Sequence, residues 1–335
     1  MIRNALTSLK ANLIYAVVFS LGSGLLVGQF IGPETRGVLG RAVVPALFVM
    51  IYPMMINIDI REVLNVRQHV RPVGLSLLIN FLVAPLIAVG LAAVFFGGDS
   101  GYAIGLYLIA LLPTSGMTAA WTGLAKGDLE AALVAIAVNL LVALFVLPPY
   151  LGALVGGSAG YDPTALYRQL AIVVAIPMAA GAITRRGLLS RYGAERFRSL
   201  KPVFGGVSSV GVMLIVFIAT AMQSDSILAD PVTSAGTVVP LVAFYLLVFL
   251  VGSVLGRRLL PQAQAVALVY ATSMRNLSIA LAIVIASTVI PTEAVLPIAL
   301  AYLLQPPLGA LYMHYRRDVV GSDRGVLEVL RSVSP

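Results

Sequence analysis

Tyr270–Ile283 reads YATSMRNLSIALAI, one arginine inside an otherwise apolar stretch. The nearest basic residues are Arg258 on one side and Arg316 on the other. Thr272, Ser273 and Asn276 stack with Arg275 within about one and a half helical turns, and such hydroxyl and amide side chains compete with helical backbone bonding. A local unwinding is expected here. Leu111–Trp121, LLPTSGMTAAW, carries the matching feature, because Pro113 cannot donate a backbone bond and Gly116 weakens the next turn. Thr114-Ser115-Gly116-Met117 and Thr272-Ser273-Met274 are separated by close to half the chain. That offset predicts two related halves, each with an interrupted helix.

Composition identifies the solvent around them. Of 335 residues, 59% are hydrophobic and only 11% charged, against roughly a quarter charged in a soluble domain. The chain therefore reads as a membrane protein. Its net charge of +8 does not point to nucleic acid, because the basic residues fall in short segments between apolar runs, where they orient helices. With no cysteine, disulfides, thiolate zinc sites and thiol catalysis are excluded. His69 and His314 lie in separate polar segments, which argues against a histidine metal site. No cofactor is expected.

Ten apolar runs have the length needed to cross about 30 Å of hydrocarbon. They cover residues 11–31, 40–58, 72–96, 101–125, 129–153, 165–184, 202–222, 236–256, 262–288 and 291–313. The first is too long for a typical signal-peptide core and lacks a small-residue cleavage site, so it is read as a span. With both termini cytoplasmic, the outside segments hold only Arg36, Arg41 and Arg168. Apart from Arg275, the rest of the 22 Lys and Arg fall on inside segments, as the positive-inside rule requires. The expected protein is multi-pass in the cell membrane, with five spans in residues 1–160, five in 161–315 and a cytoplasmic tail, 316–335. An odd number of spans per half makes the halves inverted.

Arg275 has no fixed counter-ion in this scheme, since all fourteen acidic residues fall in loops, tails or helix ends. An arginine in mid-membrane costs about 2.5–3.5 kcal/mol on insertion scales. It should face a water-filled cavity or meet an anion; the alternative is a scaffold arginine that snorkels or donates to backbone carbonyls within the bundle, though about ten residues on each side make snorkelling to an interface difficult. Interrupted helices in two inverted halves are the sequence pointer to a secondary transporter with its site where the breaks cross.

The stretches LLPTSGMTAAWTGLAKGDLEAALVAIAVN and SMRNLSIALAI resemble the fourth, fifth and ninth helices of the bile acid:sodium symporter and arsenite-efflux superfamily. MIYPMMINIDIREVLNVRQHVRPVGLSLLINFLVAPLI is similar to the second and third helices on the arsenite-efflux side. The resemblance runs from about residue 10 to 313. It implies an all-α membrane protein of ten helices in two inverted five-helix repeats, a core domain moving against a panel domain, and broken helices four and nine crossing at the midplane.

The departures from that resemblance bear on chemistry. Where sodium-coupled members carry a Ser-Asn pair, a later Thr and a Gly-Asp, this chain has Thr118, Ala119, Thr122, Gly127 and Asp128. Their ninth-helix glutamate and glutamine fall on Ala271 and Arg275. Sodium needs several oxygen ligands, so Ala119, Ala271 and Arg275 suggest transport without sodium, with the guanidinium as a built-in cation. The helix-four cysteine of arsenite-efflux members falls on Thr114, while Met117 and Trp121 keep the neighbouring pattern. A cysteine is the soft ligand that trivalent arsenic prefers.

The sequence thus predicts a secondary active transporter of a small organic anion. Thr114, Ser115, Thr118, Ser273, Met274, Arg275 and Asn276 are the candidate substrate residues, and Thr122 and Asp128 the candidates for ion or proton coupling. Half-helix N-termini add positive ends that suit an anion. The alternative is an arsenite or antimonite efflux permease. A channel or an intramembrane enzyme is the remote alternative, and an enzyme is not expected, for there is no G-x-S-x-G elbow, H-E-x-x-H motif or Walker A loop. Gly24-x-x-x-Gly28 and Gly152-x-x-x-Gly156 read as close-packing motifs. Gln29, Asn80, Asn139 and Gln305 read as cavity-lining or interhelical groups. The basic segment RRGLLSRYGAERFRSLK, residues 185–201, reads as the link between the halves, where anionic headgroups can dock.

Overall fold

A computed structural model describes residues 13–97, 100–155, 163–229, 231–287 and 290–316. Gly156, the basic residues Arg3 and Lys10, and the tail beyond Arg316 lie outside the described residues. Within them the chain is helical and contains no strand, as expected where hydrocarbon offers no partner to an unpaired backbone group. Seven helices are long and apolar enough to cross a membrane, or eight if one bent pair counts as a single span. The protein is a multi-pass membrane protein.

The chain begins with α1, Leu13–Gly28, and α2, Pro33–Asn57. A 3-10 turn over Ile60–Gln68 leads into α3, Val70–Phe96. α3 contains a π-helical stretch, Ile79–Val83, with a local cause. Pro85 has no N–H to give the carbonyl four residues earlier, and that carbonyl, Phe81 O, accepts from the Tyr150 hydroxyl at 2.6 Å instead. The bent pair follows as α4, Gly101–Leu111, and α5, Gly116–Leu124, set at 59°. Next come α6, Leu129–Val155, the short α7, Pro163–Leu170, and the long α8, Ile176–Ala229. The last part holds α9, Pro231–Gly236, α10, Val238–Leu259, the broken pair α11, Gln262–Ser273, and α12, Leu277–Ala286, then α13, Val295–His314.

α8 is a hairpin. Gly193 has φ 77° and ψ 169°, a region open essentially only to glycine. Gly181 and Gly211 lie on either side of it, and a straight helix would carry them roughly 45 Å apart. Instead, a Cβ at Gly181 would lie 2.8 Å from Met55, and one at Gly211 would collide with the backbone of Met50, so both press on one short stretch of α2. The basic link of the sequence is therefore helical on both sides and reverses at Gly193.

Packing sorts the helices into two groups. Both arms of α8 press on α2, and the second arm also packs on α1, whereas α11 packs against α3, α5, α6 and α10; α12 packs against α13 and α4 and also touches α2. Gly24 and Gly28 let α1 approach Thr220, Ala221 and Ser224 of α8 so closely that a Cβ would clash. Here the glycine spacing serves packing.

Candidate functional site

The two interruptions meet in space, and backbone joins them. The Asn276 N–H donates to Leu112 O at 2.9 Å, and the Thr118 hydroxyl donates to Tyr270 O at 3.3 Å. Each half-helix behind a break is capped by its own residues. Ser115 Oγ accepts from the Met117 N–H and Thr118 Oγ1 from the Ser115 N–H, a reciprocal cap on α5. Asn276 Oδ1 accepts from the Ile279 N–H and caps α12. Between these caps Thr114 sits at φ 52°, an outlier for a β-branched residue that its surroundings must hold in place.

Gln305, from α13, repairs the backbone of the second break. Its Oε1 accepts from the Arg275 N–H at 2.7 Å, and its Nε2 donates to Arg275 O at 3.2 Å. The Tyr245 hydroxyl donates to the same Oε1 at 3.0 Å. One side-chain amide thus stands in for both missing helical partners.

The Arg275 side chain is completely buried. Nη1 donates to Ala110 O at 3.0 Å, a carbonyl of the last turn of α4, where the helix dipole is negative. The guanidinium carbon lies 5.4 Å from the centre of the Phe244 ring, within cation–π range. Nε and Nη2 have no hydrogen-bond partner. No ion pair involving Arg275 occurs among the described residues.

A cavity of about 380 Å³ runs between the two helix groups. One wall is made by the first turns of both half-helices, Ser115, Gly116 and Met117 of the first break and Asn276, Leu277 and Ser278 of the second. Arg275 and Tyr302 border the same wall, and Ser208, Ser209 and Val212 of α8 face it. Asp59, Glu62, Arg185 and Lys201 also line this space, and Arg185 Nη2 bonds to Asp59 Oδ2 at 2.5 Å. Apolar side chains such as Met54, Ile58, Leu133 and Ile136 fill the remaining lining. The space therefore combines an apolar body with hydroxyls, two helix N-termini and a cation at its edge.

Of the candidate substrate residues, Ser115, Arg275 and Asn276 border this cavity, as do Met117 and Ala119. Thr114, Thr118, Ser273 and Met274 are buried beside it in helix contacts; the Ser273 hydroxyl donates to Val269 O at 2.5 Å, and Thr114 Oγ1 has no partner. Thr122 Oγ1 is likewise buried and unpartnered. Asp128 stands at the start of α6, where its Oδ1 accepts from the Ala131 N–H at 3.0 Å, and its Oδ2 lies 3.9 Å from His69 Nδ1. Asn80 and Asn139 bond to each other at 2.9 Å and are interhelical. Sequence reading does not reach Ser278, Ser208, Ser209, Tyr302 or the Asp59–Arg185 pair. Ser278 was the accessible one, two residues beyond Asn276 in the same motif.

With the geometry described, relatives can be compared. Arsenical-resistance protein Acr3 of Alkaliphilus metalliredigens is 27% identical over 237 residues, 65% of this chain and 66% of that protein, just under two thirds of its length. Arsenical-resistance protein Acr3 of Corynebacterium glutamicum is 23% identical over 288 residues, 80% of this chain and 77% of that protein. An uncharacterized transporter of Synechocystis is 27% identical over 263 residues, 71% of this chain and 69% of that protein. The family described as Sodium Bile acid symporter family matches residues 44–230. That match covers more than half of the 335 residues, and the chain belongs to the Sodium Bile acid symporter family.

Proposed function

We propose that this transporter moves a small organic anion by alternating access, without sodium, through the cavity beside the two helix breaks. The observation that carries the reading is Arg275, a buried guanidinium with two unpartnered nitrogens and no ion pair among the described residues, at the edge of a cavity lined by two half-helix N-termini. An anion there would gain from the dipole ends and from the fixed cation. In this reading Ser115, Arg275 and Asn276 meet the substrate. Thr114, Thr118, Ser273 and Met274 hold the crossing in shape. Thr122 and Asp128 are the groups available for ion or proton coupling.

The architecture proposed is ten spans in two inverted repeats, residues 1–160 and 161–315, with the tail and both termini cytoplasmic. The reversal at Gly193 supports it by dividing the longest apolar helix in two, and so do the paired breaks at Leu112–Ser115 and Met274–Asn276. Alternating access then works between the α1, α2 and α8 group and the helices that carry the breaks.

Arsenite or antimonite efflux is the second reading, favoured by the names of two relatives. Thr114 in place of a cysteine speaks against it, because its hydroxyl is a poor partner for a soft metalloid. A thermal-shift screen on purified protein separates the two, since a ligand that binds only the folded state stabilises it by mass action. Stabilisation by a subset of carboxylates and none by arsenite is expected. Stabilisation by arsenite alone replaces the organic-anion reading with the metalloid one.

A further inference from the structure

A second recess adjoins the central cavity and shares part of its lining. It has a volume of about 540 Å³ and is lined by Ile58, Asp59, Arg61, Ala182, Ile183, Arg185, Arg186, Leu189 and Ser190. Ile58, Asp59 and Arg185 belong to both spaces. Three arginines against one aspartate leave this recess strongly positive, and it is open to the surroundings of α8.

Its donors are unspent. Arg185 is fixed by Asp59 through Nη2 and rests on the Phe197 ring, with its guanidinium carbon 4.9 Å from the ring centre. Its Nη1 is buried and without a partner. The side chains of Arg61 and Arg186 make no ion pair among the described residues. The arm of α8 that carries Arg185 and Arg186 presents Ile176 and Ile183 outward, 61% and 72% exposed. Seven residues apart, they share one helical face, and on a membrane helix such a face meets acyl chains. A cluster of guanidinium groups above an outward apolar stripe has the chemistry of a phospholipid, phosphate at one end and hydrocarbon below it.

We propose that this recess binds an anionic phospholipid of the adjacent leaflet. Arg61, Arg186 and Nη1 of Arg185 hold the phosphodiester, and an acyl chain lies along Ile183 and Ile176. Planar guanidinium forks match the two non-bridging phosphate oxygens. A zwitterionic choline headgroup brings its own cation into an already positive recess and is disfavoured. Charge complementarity thus selects phosphatidylglycerol over phosphatidylcholine.

The test is native mass spectrometry of the purified full-length protein offered both lipids in detergent. Preferential retention of phosphatidylglycerol is expected, with affinity lowered about tenfold or more in the Arg61→Gln/Arg186→Gln double variant. The Arg61→Lys/Arg186→Lys variant keeps the charge and should keep much of the preference. Arg191→Gln removes an exposed charge of the same basic segment outside the recess and should change nothing. Equal retention of the two lipids by the unaltered protein overturns the proposal even if the double variant fails to fold, as does an unchanged preference in a folded double variant. A melting shift produced by inorganic phosphate, without lipid retention, assigns the recess to a free oxyanion and overturns the lipid.

Discussion

At Arg275 the cost of burying a cation is offset by two neighbours, the Ala110 carbonyl at the negative end of α4 and the face of Phe244, while Gln305 satisfies the residue's backbone. If it also meets a substrate anion, Arg275→Gln leaves a folded protein whose affinity for that anion falls roughly ten- to a hundredfold, because a charge-assisted hydrogen bond contributes about 1.5–3 kcal/mol. Arg275→Lys is impaired as well where recognition is bidentate. A purely structural arginine gives the opposite pattern, a lower melting temperature with normal ligand affinity in the surviving molecules. Both quantities measured on the same preparation decide between them. Gln305→Leu is expected to be costly in either case, since it strands a buried N–H and C=O at about 1–3 kcal/mol each; a melting temperature within a degree of the parent would contradict that account. Sequence showed that Arg275 is isolated and that hydroxyls and an asparagine surround it. It did not show Gln305, thirty positions away in the chain, because a lone glutamine in an apolar span has no spacing that names its partner.

At the scale of elements, the interruptions were legible because their causes are local: a proline, a glycine and clustered side chains that cap rather than continue a helix. The reversal within residues 185–201 was legible only as a charged segment. Its helical arms follow from Gly193 and from the contact of Gly181 and Gly211 with α2, neither of which periodicity reveals. Gly211→Leu should therefore force α8 off Met50 and lower stability by at least the 1–3 kcal/mol typical of overpacking. Gly187→Ala, with open space around its Cβ, should be neutral or slightly stabilising through helix propensity. Denaturation of the two variants side by side reads this out, and equal stabilities would refute the close approach.

At the scale of the molecule, the heavy packing of α8 on α1 and α2 predicts that the three move as one body. Spin labels placed within that body should keep their separations between ligand-free and ligand-saturated protein, while distances from it to α11 or α12 change. Movement inside the group would refute this division. Sodium is the second whole-molecule question, since the resemblance to sodium-coupled symporters implies oxygen ligands at the positions that here read Ala119, Ala271 and Arg275. Uptake into proteoliposomes is expected to be equal in sodium and potassium buffers, and a steep sodium dependence would show that other oxygens suffice. The bond from the Asn276 N–H to Leu112 O bears on both questions. This splice between the two helix breaks runs through peptide groups, so it is indifferent to side-chain identity. A change at Ser278, which lines the cavity without taking part in this bond, would alter what the space can bind and leave the joint in place.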